Sequence, residues 1–134
     1  MLFRSDQLPM DLAARYHAMP YLHDMGAALA AADLVISRAG ASCLGEYPLF
    51  GLPAILVPYP YAWRYQKVNA DYLTRRGAAI ILEDPALKKE LLETLKVLID
   101  NPNKLKAMRA AMFELSHPRA AEKIASKLIE LAGA

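Results

Sequence analysis

Residues Ser37 to Asn69 read SRAGASCLGEYPLFGLPAILVPYPYAWRYQKVN, and this stretch decides the fold. Leu34-Val-Ile36 leads into Ser37 as a short apolar strand, which runs into a turn of small residues, Arg38-Ala-Gly-Ala41. Ser42 to Phe50 reads as a helix with one acidic residue, Glu46, in its interior. Gly51-Leu-Pro53 stops that helix. Ala54 to Val57 is a second apolar strand, followed by a Pro/Tyr-rich loop and a helix from Gln66 to Arg76 that Gly77 closes. Strands alternating with helices predict a parallel sheet with right-handed crossovers.

The flanking segments extend this pattern. Upstream, Pro9 opens a short helix through about His17, and Ala18 to Leu22 reads as a short strand, which Pro20 weakens unless it lies near an end. Asp24 caps an alanine-rich helix, Met25 to Ala32. Downstream, Ala78 to Leu82 is a third apolar strand and Glu83-Asp-Pro85 a turn. Leu91, Leu92, Leu95, Leu98 and Ile99 follow a 3.6-residue period along a helix from Leu87 to Ile99. Two further helices, about Asn103 to Leu115 and Arg119 to Ala132, are set off by Asp100-Asn-Pro102 and Ser116-His-Pro118. These close on the sheet or on a neighbour. In the helix from Gln66, the inward candidates are Val68, Tyr72 and Leu73. The expected fold class is α/β, a Rossmann-like parallel sheet with flanking helices.

Composition narrows the function classes. The chain has 134 residues, of which 55% are hydrophobic and 22% charged, as in one ordinary globular domain. A net charge of +2, with Lys and Arg dispersed, argues against a nucleic-acid partner. The single cysteine, Cys43, precludes an internal disulfide and fits a reducing compartment. No apolar run approaches the ~20 residues of a membrane span. The start, MLFRSDQLPMD, lacks the apolar core of a signal peptide. His17, His23 and His117 lie too far apart for metal-ligand spacing, so no metal is expected. No side chain reads as a nucleophile or a general base, and no cofactor is implied.

The candidate site gathers at the carboxyl ends of the strands, where open α/β sheets bind ligands. The Arg38-to-Ser42 turn either presents N–H groups and a helix N-terminus to phosphate, or is simply a turn in which only small residues fit. Glu46 either accepts hydrogen bonds from vicinal ribose hydroxyls or lies on a solvated face, paired with Arg38 or Arg64. It sits eight residues from Arg38, which suggests a place deeper along the helix than the phosphate end. Gln66 and Asn69, three apart, share a helix face and could meet sugar hydroxyls, or could merely cap the helix. Tyr59, Tyr61, Trp63 and Tyr65 alternate with Pro58, Pro60 and Ala62, a pattern that suits either stacking on a ligand or a stiff connection. Together the groups suit a nucleotide-sugar.

Taken in order, Arg38-Ala-Gly-Ala-Ser-Cys-Leu-Gly-Glu46, Gly51-Leu-Pro53, Val57-Pro58 and Gln66-Lys-Val-Asn-Ala70 resemble the C-terminal, donor-binding half of the MurG family of GT-B glycosyltransferases. Tyr21-Leu-His-Asp-Met25 and Ala32-Asp-Leu-Val-Ile36 are similar to two further stretches of that family, so the resemblance covers about Ala18 to Ala132. It implies a UDP-sugar donor domain over residues 18–134, with residues 1–17 a remnant. The implied reaction transfers N-acetylglucosamine from UDP-GlcNAc to lipid I, giving lipid II for peptidoglycan. On this resemblance Glu46 holds the ribose, Gln66 and Asn69 face the sugar, and Leu22 lies along the uracil. Ala41, Ser42 and Cys43 offer main-chain groups to sugar and diphosphate, and Arg38 supports their turn. No catalytic residue is carried over.

The family's pattern has threonine where Cys43 stands, and Gly45 and Pro48 depart from an ordinary helix interior. Pro48 would be tolerated in a first turn. The resemblance also implies a cytoplasmic, peripheral place on the inner face of the membrane. The chain is expected to be a fragment, inactive by itself, because the acceptor domain that would meet lipid I has no counterpart in it. The alternatives are another GT-B enzyme (a diacylglycerol glycosyltransferase, or the donor subunit of a two-chain GlcNAc transferase) and a non-catalytic nucleotide-sugar-binding module.

Overall fold

The computed structural model describes residues 9–61 and 65–133. Three short strands, β1 (Val35–Ser37), β2 (Ala54–Leu56) and β3 (Ala79–Ile81), form a parallel sheet in the order β1-β2-β3. Val35 pairs with Ala54 and Ala54 with Ala79, so the three strands start level and end level. Helix α3 (Cys43–Phe50) crosses from β1 to β2, and α4 (Tyr65–Thr74) from β2 to β3. Before them lie α1 (Met10–Ala13) and α2 (Met25–Ala31), and after them α5 (Leu87–Ile99), α6 (Pro102–Glu114) and α7 (Ala120–Ala132).

The central strand explains the layering. Alternate residues of a strand face opposite sides of its sheet. Ala54 and Leu56 pack with Cys43, Tyr47, Ala70, Leu73 and Met112 on one side. Ile55 and Val57 pack with Leu82, Leu98 and Met108 on the other. Both faces of β2 are therefore covered, which is why its sequence is a continuous apolar run rather than an alternating one. β1 is less protected: Ile36 is 43% exposed.

Helix ends follow local chemistry. The Asp24 carboxylate accepts the Ala27 N–H at 2.9 Å and so caps α2. The Asn101 side chain caps α6 in the same way through the Lys104 N–H. α3 ends at Gly51, with φ +56°; the Gly51 N–H donates to Pro48 O and the Leu52 N–H to Tyr47 O. That reciprocal pair satisfies carbonyls that the helix end would otherwise leave open. A Cβ at position 51 would also collide with the Phe113 ring of α6.

Four sequence-based expectations need correction. Ala18 to Leu22 is not a strand; Pro20, in the middle of the run, has no N–H to give a ladder. The helix opened by Pro9 stops at Ala13 rather than near His17. Pro48 lies in the body of α3, fully buried, not in its first turn. Val68 is 62% exposed and Tyr72 37%; α4 instead turns Ala70 and Leu73 inward. Within α5, Leu98 is buried, whereas Leu92 and Ile99 are exposed.

Candidate functional site

The level strand ends place three connections side by side: Arg38–Ser42 after β1, Val57–Tyr61 after β2, and Leu82–Ala86 after β3. Long-range bonds join them. Arg38 Nη1 donates to the Val57 carbonyl at 3.3 Å and forms an ion pair with Asp84 Oδ1. The Arg38 guanidinium also lies 5.3 Å from the centre of the Tyr59 ring, within reach of a cation–π attraction. One side chain from the first connection thereby holds the second and the third. The guanidinium is thus committed to Asp84 rather than to Glu46.

Both amide side chains of α4 take part. The inward stripe of that helix is Gln66, Asn69, Ala70 and Leu73, spaced at three, four and seven residues. Its apolar end enters the core and its polar end meets the connections. Gln66 Oε1 accepts the Tyr59 N–H at 2.8 Å. Asn69 Nδ2 donates to the Ala39 carbonyl at 3.0 Å. Lys67, on the outer side, pairs with Glu83 at 3.2 Å; that contact raises its pKa. The sequence places Gln66 and Asn69 on one face, and the structure brings that face against the Arg38–Ser42 turn.

The turn itself is poised at the start of α3. Ala39 is fully buried, whereas Ala41 and Ser42 are exposed. The Cys43 and Leu44 N–H groups donate to Gly40 and Ala41 carbonyls at 3.2 Å each. Among the described residues the Ala41 and Ser42 amides donate to no protein acceptor. The exposed Ala41 and Ser42 amides are thus open to a ligand, whereas the Cys43 N–H is already bonded. Because residues 38–42 are not helical, α3 begins at Cys43 and Glu46 falls in its first turn. The expectation that Glu46 lies deep along the helix is thus corrected: it is exposed, in the first turn. It forms no ion pair among the described residues, and Arg64 lies outside them.

Cys43 points inward. Burial, and secondarily the negative charge of Glu46, push its thiol up to about 11. A neutral thiol so placed is neither nucleophile nor phosphate ligand. Tyr47, one turn on, donates its hydroxyl to Ser37 Oγ at 2.8 Å, and Ser37 Oγ donates to the Arg38 carbonyl at 3.0 Å. Burial raises the Tyr47 pKa, against the lowering effect of the Ser37 bond. This chain of hydroxyls anchors the end of β1 from below. Leu22 stands apart. It is partly buried on the segment that feeds α2, and α2 packs on α3.

Sequence reasoning missed Asp84, which it placed in a turn without a role. Its spacing from Arg38 gave no local signal, since the two meet only through the sheet. The Ala62-Trp63-Arg64 part of the aromatic loop lies outside the described residues. Tyr59 and Tyr61 within it stack edge to face, with centroids 5.6 Å apart. The site forms a shelf at the strand ends. A concavity of about 400 Å³ lies instead against β3 and α5, lined by Ile80, Lys89, Glu90, Glu93, Thr94 and Val97. No long-range hydrogen bond among the described residues converges on it, whereas three meet at the shelf, which is therefore the better candidate.

Known proteins share this fold. The pattern of the glycosyltransferase family 28 C-terminal domain matches residues 4–124. A UDP-N-acetylglucosamine--N-acetylmuramyl-(pentapeptide) pyrophosphoryl-undecaprenol N-acetylglucosamine transferase of Roseiflexus sp. is 43% identical, covering 88% of this chain and 31% of the relative. The enzyme of that name from Methylococcus capsulatus is 40% identical across 100% of this chain and 38% of the relative. The crystal structure of Acinetobacter baumannii MurG superposes with a TM-score of 0.75 at 31% identity, over 84% of this chain and 33% of that one. The chain spans about a third of the length of the relatives it matches. With a family pattern over nearly all its residues and the same fold in a solved relative, the chain belongs to the glycosyltransferase family 28 C-terminal domain family.

Proposed function

We propose that residues 18–134 are the donor-binding half of a UDP-N-acetylglucosamine transferase acting on lipid I, with residues 1–17 a remnant of the same domain. What supports this reading is the shelf at the strand ends: two free amides at the start of α3, a carboxylate in its first turn, and two amide side chains on the adjoining helix. The diphosphate would sit at the Ala41 and Ser42 N–H groups, where the helix N-terminus adds its partial positive charge. Glu46 would accept both ribose hydroxyls, Leu22 would lie along the base, and Gln66 and Asn69 would meet the amino sugar.

In this reading the chemistry is displacement of UDP by an acceptor hydroxyl. The present residues hold the donor and stabilise the departing diphosphate. The acceptor lipid and the base that activates it belong to a part of the longer protein other than these residues. The enzyme would work at the cytoplasmic face of the membrane, held peripherally; no described helix is long and apolar enough to cross a bilayer.

Calorimetric titration of the chain with UDP-GlcNAc, UDP-glucose and UDP tests the reading. UDP-GlcNAc is expected to bind best. Binding of UDP with no gain from the sugar would remove the GlcNAc assignment, and no binding by a folded chain would leave an inert domain. Glu46→Ala is expected to weaken UDP by about 1–3 kcal/mol, roughly five- to 150-fold in Kd, through unpaired ribose hydroxyls. Unchanged affinity would take Glu46 out of the site.

A further inference from the structure

Every main-chain carbonyl of the turn before α3 already has a protein donor. The Arg38 carbonyl accepts the Ser37 hydroxyl at 3.0 Å, and the Ala39 carbonyl accepts the Asn69 amide at 3.0 Å. The Gly40 and Ala41 carbonyls accept the Cys43 and Leu44 N–H groups at 3.2 Å each. The Ser42 carbonyl accepts those of Gly45 and Glu46, at 3.0 and 2.9 Å. The exposed Ala41 and Ser42 amides, by contrast, can only donate. Three of the five carbonyls are held by the helix that the turn itself begins. The Arg38 carbonyl depends instead on one rotatable hydroxyl.

That hydroxyl is itself constrained. A serine has a single proton to give, and a carbonyl can only accept. The Ser37 proton therefore lies in the bond to Arg38, and the 2.8 Å contact with Tyr47 must be donated by the phenol. Tyr47 is buried in the apolar core with Cys43, Leu52 and Met112, where its hydroxyl has little water as a rival partner. A donor on the Ser37 oxygen fixes the rotor and strengthens the serine's own O–H as a donor. We propose that Tyr47 is a positioning residue for the donor diphosphate, acting through Ser37. It holds the Arg38–Ala39 peptide with its carbonyl on the serine, and so keeps the turn a surface of N–H donors. The inference rests on the nucleotide-sugar reading above and deepens it: diphosphate affinity depends on a buried phenol that acts through another residue. Without the relay the Arg38 carbonyl is free to turn toward the phosphate, and binding must first turn it back.

A double-variant cycle tests the relay, with UDP titrated calorimetrically into the full chain and urea unfolding followed beside it. Tyr47→Phe keeps the ring and removes only the hydroxyl. It is expected to weaken UDP about three- to tenfold. Ser37→Ala is expected to weaken UDP at least as much, and Ser37→Thr, which restores a hydroxyl there, to come within about twofold of the unchanged chain. In the Ser37→Ala background, Tyr47→Phe should cost nothing more, because the phenol acts only through the serine. A merely structural tyrosine would lower the urea midpoint and leave the UDP affinity of the folded chain as it was. Unchanged affinity in Tyr47→Phe, or losses that multiply in the double variant, would overturn the relay while leaving the nucleotide site standing. Ser37 is only partly buried, so Ser37→Ala keeps the test open if loss of the phenol unfolds the chain. No loss of UDP affinity in Ser37→Ala, or the same loss in Ser37→Thr, would likewise overturn the relay. A folded, unchanged chain that does not bind UDP would overturn the relay and the nucleotide-sugar reading together.

Discussion

The strand-end shelf and helix α7 are built on opposite principles. The shelf consists of connecting segments, usually the loosest parts of a fold. Yet Arg38, Gln66 and Asn69 bind partners 19, 7 and 30 residues away in sequence. α7 is thirteen regular residues, Ala120–Ala132, with no buried side chain among them. Its ion pairs, Arg119–Glu122 and Lys127–Glu130, are local contacts at a spacing of three. Such exposed pairs contribute only about 0.2–1 kcal/mol each. Regular backbone is therefore no measure of attachment. What ties a segment into the molecule is long-range contact; the shelf has it through these bonds, whereas α7 buries no side chain.

The largest test of that contrast is in the sheet beneath the shelf. Leu56 is fully buried, the last residue of β2, directly below the connection that carries Tyr59. Leu56→Ala is expected to cost about 2–5 kcal/mol, measured by urea unfolding. It should also weaken UDP binding, because the strand ends would no longer hold level. Destabilisation below about 1 kcal/mol would mean that the core does not support the site as described.

Gly51→Ala is expected next in size. Alanine at φ +56° is strained by about 1 kcal/mol, and its methyl group must displace the Phe113 ring. A total of about 2 kcal/mol is expected, with binding unchanged once the protein is folded. Combining it with Phe113→Ala separates the two causes: the double variant recovers the collision but not the backbone strain.

How far the sequence carried these conclusions depends on how local each signal was. Gly51-Leu-Pro53, the Asp24 cap and the apolar run Ala54–Val57 act on their own neighbours. They located α2, α3 and β2 to within a residue. Leu87 to Ile99 matched α5 at both ends, since an apolar period with flanking prolines bounds a helix from both sides. Val68 failed because a helix's apolar face is set by what packs on it. The inward stripe of α4 carries two amides, which hydropathy counts as outward. Asp84 was invisible for a related reason: it meets Arg38 across two strand pairings, a distance that no window of sequence spans. The depth of Glu46 was misjudged by counting from Arg38, which lies in the turn before the helix.

The Cys43 thiol offers a smaller, pH-dependent test. Its folded pKa of about 11 stands above its ordinary value of 9.0. The unfolded chain thus loses the proton first as pH rises, and unfolding is favoured. The stability from a neutral buried thiol is complete below about pH 9 and is lost progressively toward pH 11. The melting temperature should fall across that window, with Tyr47 adding to the fall above its own ordinary value of 10.0. In Cys43→Ala the part of the slope between 9 and 10 is expected to vanish. A slope unchanged by this substitution would place the responsible group elsewhere. Alkylation of the native chain should likewise be slow at pH 8, because the thiol is both covered and neutral.

The smallest expected effect is in α7, and its smallness is the point. Leu128 is 61% exposed, on a helix face it shares with Ile124 and Leu131. In this chain Leu128→Ala removes no buried contact, so unfolding should shift by less than about 0.5 kcal/mol. The slight helix preference of alanine works in the opposite direction to the lost side chain. The same truncation at Leu56, a residue of identical chemistry, is expected to cost several times more. A loss above about 1 kcal/mol at Leu128 would show that α7 is held against the molecule in solution. The division between a laced shelf and a free helix would then have to be redrawn, with α7 counted among the elements that support the sheet.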